Sequence, residues 1–120
     1  MLLAALLTIS FPICPPSGVR ITCVHDGDSF IIERERIRIA DIDTPELNGQ
    51  CEDERRRAIL ARDRLRELLN AGAIEVRRQG KDRNGRTLAL ILRDGRSVGL
   101  QLVEEGHARR WEGRRRSWCG

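Results

Sequence analysis

The stretch "IADIDTPEL", residues 39–47, places several oxygen-bearing side chains at the end of an apolar run. Pro45 disfavours helical geometry at the preceding residue, so Thr44 should lie in an irregular segment with free backbone carbonyl groups. Carboxylate and carbonyl oxygens are the ligands of hard cations, and Ca²⁺ tolerates an irregular arrangement better than Mg²⁺. The segment is therefore a candidate site for a metal ion and a water molecule, using Asp43, Thr44 and Glu46. Taken alone, a strand that ends in a Thr-Pro-Glu turn is the simpler interpretation.

A further acidic residue, Asp28, closes the segment "DGD". Asp-Gly between strands predicts a hairpin turn with Gly27 at positive φ. One turn needs only one aspartate, so Asp28 stays unexplained at a position where a β-branched or apolar residue is typical. Arg38 and Asp43 are an odd number of residues apart, so in a regular strand their side chains would point to opposite faces of the sheet. They can share one site only if the strand ends or bulges near residues 41–43.

The segment "KDRNGR", residues 81–86, first indicates a hairpin loop with "NG" as its turn. Arg86 follows this turn at the start of a strand, which is a rigid position from which to present a guanidinium group. A metal ion with Arg38 and Arg86 can stabilise the charge on a pentacoordinate phosphorus atom, while Glu46 orients or deprotonates water. Each part alone is weak, but the set is typical of a phosphoryl-transfer site.

Hydrophobic periodicity predicts the elements that must position these residues. Helical spacing runs from Glu52 to Asn70, with acidic residues in the first turn and Gly72 after the end. A second, short helix should end at Gly106. Strands are expected at Val19–His25, Ser29–Glu33, Arg36–Ile42, and residues 73–78 and 87–92. This order favours a mainly β fold with α (α+β), namely an OB-fold five-stranded barrel with one long and one short helix.

The composition indicates one globular domain: 120 residues, 40% hydrophobic and 33% charged. Aromatic residues make up only 3%, so the core should be aliphatic. We expect an apolar leader and Pro-rich linker at residues 1–18, the domain at 19–112 and an Arg-rich tail at 113–120. The net charge of +4 arises entirely from residues 107–120. Nucleic-acid binding and ordinary surface solubility explain most of the arginines equally well.

The chain has four cysteines, which are Cys14, Cys23, Cys51 and Cys119. They form no CxxC pair, so a zinc site is disfavoured. Disulfides are expected if the protein leaves the cytosol, and all three ways of pairing the four cysteines stay open. Residues 2–13 have the length of a signal-peptide core and are too short to span a bilayer; a mature N-terminal strand or a short anchor is the alternative. We expect a secreted or periplasmic monomer with no membrane in its mature form. Trp118-Cys119 looks like an anchor that a disulfide could fasten to the body.

Four segments occur in the order "DGDSF", "RIRIADIDTPE", "DRNGRTLALI" and "LVEEGHAR", with a helix between the second and the third. Together they resemble the staphylococcal-nuclease-like, or thermonuclease, family from about Thr22 to Arg109. The resemblance implies an OB-fold nuclease that uses Ca²⁺ to hydrolyse phosphodiester bonds of DNA or RNA, leaving 3′-phosphates. It also implies that Asp28 and Asp43 bind Ca²⁺ through their carboxylates, and Thr44 through its backbone carbonyl.

The same resemblance implies roles for the remaining site residues. Glu46 would be the general base or the water-orienting residue, while Arg38 and Arg86 would bind the phosphate and stabilise the transition state. Asp26 and Asp82 look structural in the family. From its place in the sequence we also expect Asp41 to be structural, and His25 and His107 to be partly buried or rim histidines rather than ligands.

Departures from the family pattern keep other functions open. Asn84 stands where the family commonly has Tyr, and the chain contains no Tyr at all, so base stacking is in doubt; Trp111 or the arginine tail is a candidate substitute. A non-catalytic OB-fold module that binds nucleic acid or a protein partner is the alternative function. Such a module has no use for Glu46 aimed at a phosphate. A Ca²⁺-stabilised scaffold would explain the aspartates but neither Arg38 nor Arg86.

Overall fold

The computed structural model describes residues 9–120. The predicted leader falls largely on residues 1–8, which lie outside the described residues. Neither described helix is long and apolar enough to cross a membrane. The elements are β1 (Cys23–Asp26), β2 (Ser29–Ile32), β3 (Glu35–Ile39), β4 (Ile42–Asp43), α1 (Glu52–Asn70), β5 (Glu75–Lys81), β6 (Thr87–Arg93), β7 (Arg96–Ser97), α2 (Val98–Glu104) and β8 (Arg109–Arg110).

The main sheet has the strand order β1-β2-β3-β6-β5, with β7 beside β6, and β4 pairs separately with β8. Neighbours in the main sheet are antiparallel except β3 and β6, which run parallel. The predicted α+β class with one long and one short helix is confirmed. Across residues 9–120, however, β1 and β5 do not pair with each other, so the barrel is not closed. Strand β5 exposes nearly all of its side chains and has little apolar surface to draw it against β1.

The core is mainly aliphatic, as predicted, and lies between the sheet and the buried face of α1. The two phenylalanines of the chain also belong to it: Phe11 and Phe30 meet edge to face with ring centroids 5.7 Å apart. The backbone N–H of Phe11 donates to Oδ1 of Asn70 at 2.7 Å, and Nδ2 of Asn70 donates to the carbonyl of Phe11 at 3.0 Å. The chain just before the predicted Pro-rich linker is therefore fastened to the end of α1.

Helix α1 begins and ends at the predicted residues, Glu52 and Asn70. Its N-cap, Cys51, makes no side-chain capping bond. The three acidic residues of the first turn compensate in part, because negative charge stabilises the positive end of the helix dipole. Ala58 and Ala61 lie on the buried face, and their small side chains bring α1 close to the turn between β1 and β2.

All four cysteines are paired in disulfides. One bond joins Cys14 to Cys23, and the other joins Cys51 to Cys119, 68 residues apart. The second bond fastens the C-terminal tail to the N-terminus of α1. The proposed anchoring of Trp118-Cys119 by a disulfide therefore agrees with the structure, and Cys51, which the sequence left as one of several partners, is the residue that holds it.

Candidate metal and phosphate site

The strand that was predicted over residues 36–42 is interrupted, and this interruption forms the site. Strand β3 ends at Ile39, where the next N–H still donates to β6, and the chain then leaves the main sheet to pair with β8 as β4. The Arg38 guanidinium spans the break: its Nη1 donates to the carbonyl of Ile39 and, at 2.8 Å, to that of Ile42. The predicted break near residues 41–43 is confirmed, and it lets Arg38 and Asp43 face each other.

Asp28 reaches the same point from the turn between β1 and β2. Its Oδ2 accepts a hydrogen bond from the backbone N–H of Thr44 at 3.1 Å and lies 3.6 Å from Nη2 of Arg38. The same Nη2 lies 3.9 Å from Oδ1 of Asp43. The side chains of Asp28, Asp43 and Thr44 are buried, and so is Arg38. Two acids and one arginine that are distant in sequence are thus brought into one cluster.

Gly27 permits this cluster for a reason other than the one predicted. It does not have positive φ. A Cβ at this position would lie 2.8 Å from Cβ of Ala61 and 3.0 Å from Cβ of Thr44. Glycine is therefore required because Ala61 of α1 and Thr44 approach the backbone closely. The expectation of a left-handed turn residue was wrong because the turn is shaped by packing rather than by the hairpin type alone.

Asp26 supports the turn, as expected of a structural residue. Its Oδ1 accepts hydrogen bonds from the hydroxyl of Ser29 at 2.7 Å and from the N–H of Asp28 at 3.2 Å. Asp41 is also structural: its Oδ2 accepts from the hydroxyl of Ser97 at 2.8 Å, and its carbonyl accepts from the N–H of Trp111 at 3.0 Å.

The electrostatics of the two buried acids favour a bound cation. Burial, followed by the negative charge of Asp26, raises the pKa of Asp28 to about 7. Burial, followed by the charge of Asp28, also raises the pKa of Asp43. Oδ1 of Asp43 and Oγ1 of Thr44 are buried without a hydrogen-bond partner. A divalent cation would satisfy both the unpaired carboxylate oxygen and the mutual repulsion, so the residues present fit such an ion.

Glu46 lies at the rim of this cluster and is partly exposed. Its carboxylate oxygen Oε1 forms an ion pair with Arg115 of the C-terminal tail. Its backbone N–H donates to Oε2 of Glu54 at 2.9 Å, and Oε1 of Glu54 accepts from the N–H of Gln50 at 3.1 Å. Glu54 therefore holds the loop that carries Glu46.

Glu54 is a functional residue that sequence reasoning missed, because its acidic side chain was assigned to the helix dipole alone. Only 6% of its surface is exposed. Its sequence signal is the spacing to Ala58, Ala61 and Leu65, which places an acid on the apolar face of α1. An acid at such a position requires buried donors, and the loop after residue 46 supplies them.

Arg86 is bound by Asp82 rather than by the two buried aspartates of the cluster. Its backbone N–H and its Nε donate to the two carboxylate oxygens of Asp82, at 2.9 and 2.8 Å. Within residues 9–120, no hydrogen bond or ion pair joins Arg86 to Arg38 or to the two buried aspartates. Asp82, expected to be structural, also accepts the N–H of Asn84 at 2.9 Å and so organises the hairpin turn.

The C-terminal tail covers one side of the site. The indole Nε1 of Trp118 donates to Oδ2 of Asp43 at 3.3 Å. The ring packs against the guanidinium groups of Arg109, 3.7 Å from the ring centroid, and Arg57, at 5.0 Å. Arg38 also lies 5.7 Å from the ring centroid of Trp111. The sequence predicted the tail as an anchored end and a candidate substrate contact, but it did not predict these contacts with the site residues.

Known proteins are similar to this chain in sequence. The family model described as "Staphylococcal nuclease homologue" matches residues 36–117. The chain is similar to the micrococcal nuclease of Shigella flexneri, with 34% identity over 73% of this chain and 49% of that protein. It is also similar to the thermonuclease of Staphylococcus intermedius, with 31% identity over 72% of this chain and 55% of the relative.

An uncharacterized endonuclease of Haemophilus influenzae is 29% identical over 76% of this chain and 46% of its own length. The chain thus spans about half the length of the curated relatives it matches. The matched region runs from β3 to the tail, and so includes Arg38, Asp43, Glu46 and Arg86. The chain therefore belongs to the staphylococcal nuclease family.

Proposed function

We propose that this protein is a Ca²⁺-dependent nuclease that hydrolyses phosphodiester bonds of DNA or RNA and leaves 3′-phosphates. The observation that carries the proposal is the buried cluster of Asp28, Asp43 and Arg38, in which one carboxylate oxygen has no hydrogen-bond partner. An all-oxygen donor set on irregular backbone suits Ca²⁺. The relatives are named as nucleases or endonucleases, which supports the same activity.

Each site residue has a role that follows from its surroundings. Asp28 and Asp43 would hold the cation through carboxylate oxygens, and Thr44 through its backbone carbonyl. The cation, when bound, supplies positive charge beside the scissile phosphate. The Nη2 group of Arg38 already faces both acids, so it can bind a phosphate oxygen at the same place. Charge that develops on the phosphorus oxygens is then stabilised by groups that are held in position before the reaction.

Glu46 would hold and deprotonate the attacking water. The water oxygen bonds to phosphorus and its proton passes to the Glu46 carboxylate. The bond from phosphorus to the 5′ oxygen breaks, and this oxygen takes a proton from solvent, which leaves a 3′-phosphate and a 5′-hydroxyl. Arg115 occupies one oxygen of Glu46, and the other oxygen is available to water. Arg86 would exchange part of its pairing with Asp82 for a phosphate oxygen, and its side chain is 30% exposed.

The ion pair between Arg115 and Glu46 also favours a second candidate function. An acid that is held by a basic tail is compatible with a non-catalytic module that binds nucleic acid or a protein. A nuclease would cleave its nucleic-acid substrate repeatedly, whereas a binding module would not cleave it. The two functions also differ in what Glu46→Gln does: this change abolishes cleavage if Glu46 is the base, and leaves binding intact in either case.

The test incubates the purified protein with single-stranded DNA, duplex DNA and RNA, with Ca²⁺ or with a chelator. We expect Ca²⁺-dependent cleavage, product ends that become ligatable only after phosphatase treatment and renewed 5′-phosphorylation, and a rate at least about 100-fold lower for Glu46→Gln. Glu104→Gln is the matched control, because Glu104 is an exposed acid on α2 outside the site. Cleavage that is equal in Glu46→Gln and wild type would exclude the proposed mechanism, and no cleavage by wild type would leave the binding module.

We also propose that the protein functions as a secreted or periplasmic monomer. The pairing of all four cysteines supports this, since disulfides persist in oxidising compartments. Fractionation of cells and alkylation of free thiols would test the compartment, and light scattering would test the oligomeric state. Protein with free thiols in the cytosolic fraction would contradict the proposal.

A further inference from the structure

A cavity of about 370 Å³ lies beside the site, between the outer side of strands β1–β3 and the hairpin that carries Arg86. Its polar lining includes three arginines, Arg20, Arg36 and Arg86, together with His25. Its volume is within the range of pockets that bind small ligands. Arg86, which would bind the scissile phosphate, also lines this cavity.

Two of these arginines carry charge that no acid compensates. Arg20 donates from Nε to the carbonyl of Pro15 at 3.1 Å and from Nη1 to Nδ1 of His25 at 3.4 Å. Arg36 donates from Nη2 to the carbonyl of Asn84 at 2.7 Å. Within residues 9–120, neither arginine forms an ion pair with a carboxylate.

Several other arginines within residues 9–120 are instead neutralised by acids. Arg64 pairs with Glu105 and Glu67, and Arg78 pairs with Glu35. Bonds to neutral acceptors fix the guanidinium of Arg20 and of Arg36 and leave their other N–H groups free. An arginine that is oriented in advance and has free donors loses little conformational freedom when it binds an anion.

His25 lines the cavity and contacts Arg20. Burial of the ring, followed by the charge of Arg20, lowers the pKa of His25, and Arg86 contributes in the same direction. The acids Glu46 and Asp28 act in the opposite direction but do not reverse the shift. His25 was expected to be a rim histidine, and its side chain is 49% exposed at the mouth of the cavity.

We propose that this cavity binds a second phosphodiester of the same nucleic-acid strand, next to the one that is cleaved, with Arg20 and Arg36 as its ligands. The inference rests on the proposed function. Phosphate is the anion that best matches it, because the planar guanidinium fork binds two phosphate oxygens at once and the cavity is lined in part by a phosphate-binding arginine. Because the chain has no tyrosine to stack on bases, the cavity would bind the strand through the phosphates of the nucleic acid rather than through its bases.

The test measures binding without cleavage, with chelator present, by fluorescence anisotropy. The variants are Arg20→Gln and Arg36→Gln, and the control is Arg66→Gln, which removes the same charge from an exposed position on α1. The probes are a labelled single-stranded octanucleotide and a labelled dinucleotide with one phosphodiester. Thermal unfolding shows that each variant is folded.

We expect about tenfold weaker binding of the octanucleotide by each cavity variant, and a salt slope that falls by about 0.7 per arginine removed. Binding of the dinucleotide should be unchanged, and so should both probes with Arg66→Gln. Octanucleotide binding that is unaffected by the cavity variants, or that falls equally with Arg66→Gln, would overturn the inference while cleavage still supported the proposed function. A wild type that does not cleave, but whose octanucleotide binding depends on Arg20 and Arg36, would instead refute only the proposed nuclease.

Discussion

The bond between Cys51 and Cys119 should be the larger single contributor to stability of the two disulfides. It closes a sequence separation of 68 residues, whereas the bond from Cys14 to Cys23 closes only 9. A crosslink stabilises mainly by restricting the unfolded chain, and the loss of chain entropy grows with the logarithm of the loop length. This relation gives about 4.4 kcal/mol for the long loop and about 2.7 kcal/mol for the short one.

The perturbation is a pair of double variants, Cys51→Ala with Cys119→Ala, and Cys14→Ala with Cys23→Ala. Urea unfolding at neutral pH measures the free energy of unfolding of each against the wild type. We expect the variant without the Cys51–Cys119 bond to lose about 4 kcal/mol of its free energy of unfolding. The loss in the variant without the Cys14–Cys23 bond should be smaller by about 1.5 to 2 kcal/mol. A domain of this size has a total stability of about 5–15 kcal/mol, so the first variant should be close to its folding limit.

Release of the tail has a second, spectroscopic consequence. Trp118 is 8% exposed and donates to Asp43, whereas Trp111 is already 40% exposed. Opening the Cys51–Cys119 bond should therefore shift the tryptophan emission to longer wavelength before global unfolding, and the short-loop variant should not. Equal destabilisation by the two double variants would refute the loop-entropy reasoning. Unchanged emission in the folded long-loop variant would refute the view that the bond holds Trp118 on the site.

Two more predictions follow from the ion pairs. Arg115→Ala should free Oε1 of Glu46 and raise kcat by up to about fivefold, since a partly exposed ion pair contributes about 0.2–1 kcal/mol; a lower kcat would mean that Arg115 contacts the substrate. Hydrogen bonding to Arg78 lowers the pKa of Glu35 from 4.5 to about 2. The stability that ionised Glu35 gives to the folded protein is therefore fully present above pH 4.5 and is lost as pH falls towards 2. Urea midpoints of Glu35→Gln and wild type should therefore converge over that range, and a constant difference down to pH 2 would contradict the assignment.

The helix and the strand interruption could be predicted because their signals are local. Apolar spacing and an acidic first turn fix the limits of α1 at Glu52 and Asn70. The odd spacing of Arg38 and Asp43 required a break in the strand, and the break is present between β3 and β4. Such inferences depend only on the geometry of one or two neighbouring turns of chain.

The position of the tail could not be predicted, because it depends on contacts across most of the chain. Trp118 lies 75 residues from Asp43 in sequence, and no periodicity connects them. Gly27 was misjudged for a related reason: its neighbour is Ala61 on α1, not the hairpin. The orientation of Arg86 towards Asp82 is likewise a choice among rotamers that residue spacing does not determine.

Arg38 joins the fold and the candidate chemistry in a single side chain. Nη1 of Arg38 donates to the carbonyls of Ile39 and Ile42, on the two sides of the break between β3 and β4. Its Nη2 faces Asp28 and Asp43, where it offsets the repulsion of two buried carboxylates. Removing this guanidinium would leave buried charges without a partner as well as a phosphate without its ligand. Loss of activity on substituting Arg38 therefore cannot by itself identify a phosphate contact, whereas Glu46 and Arg86 lie at the rim and can be changed with the buried cluster intact.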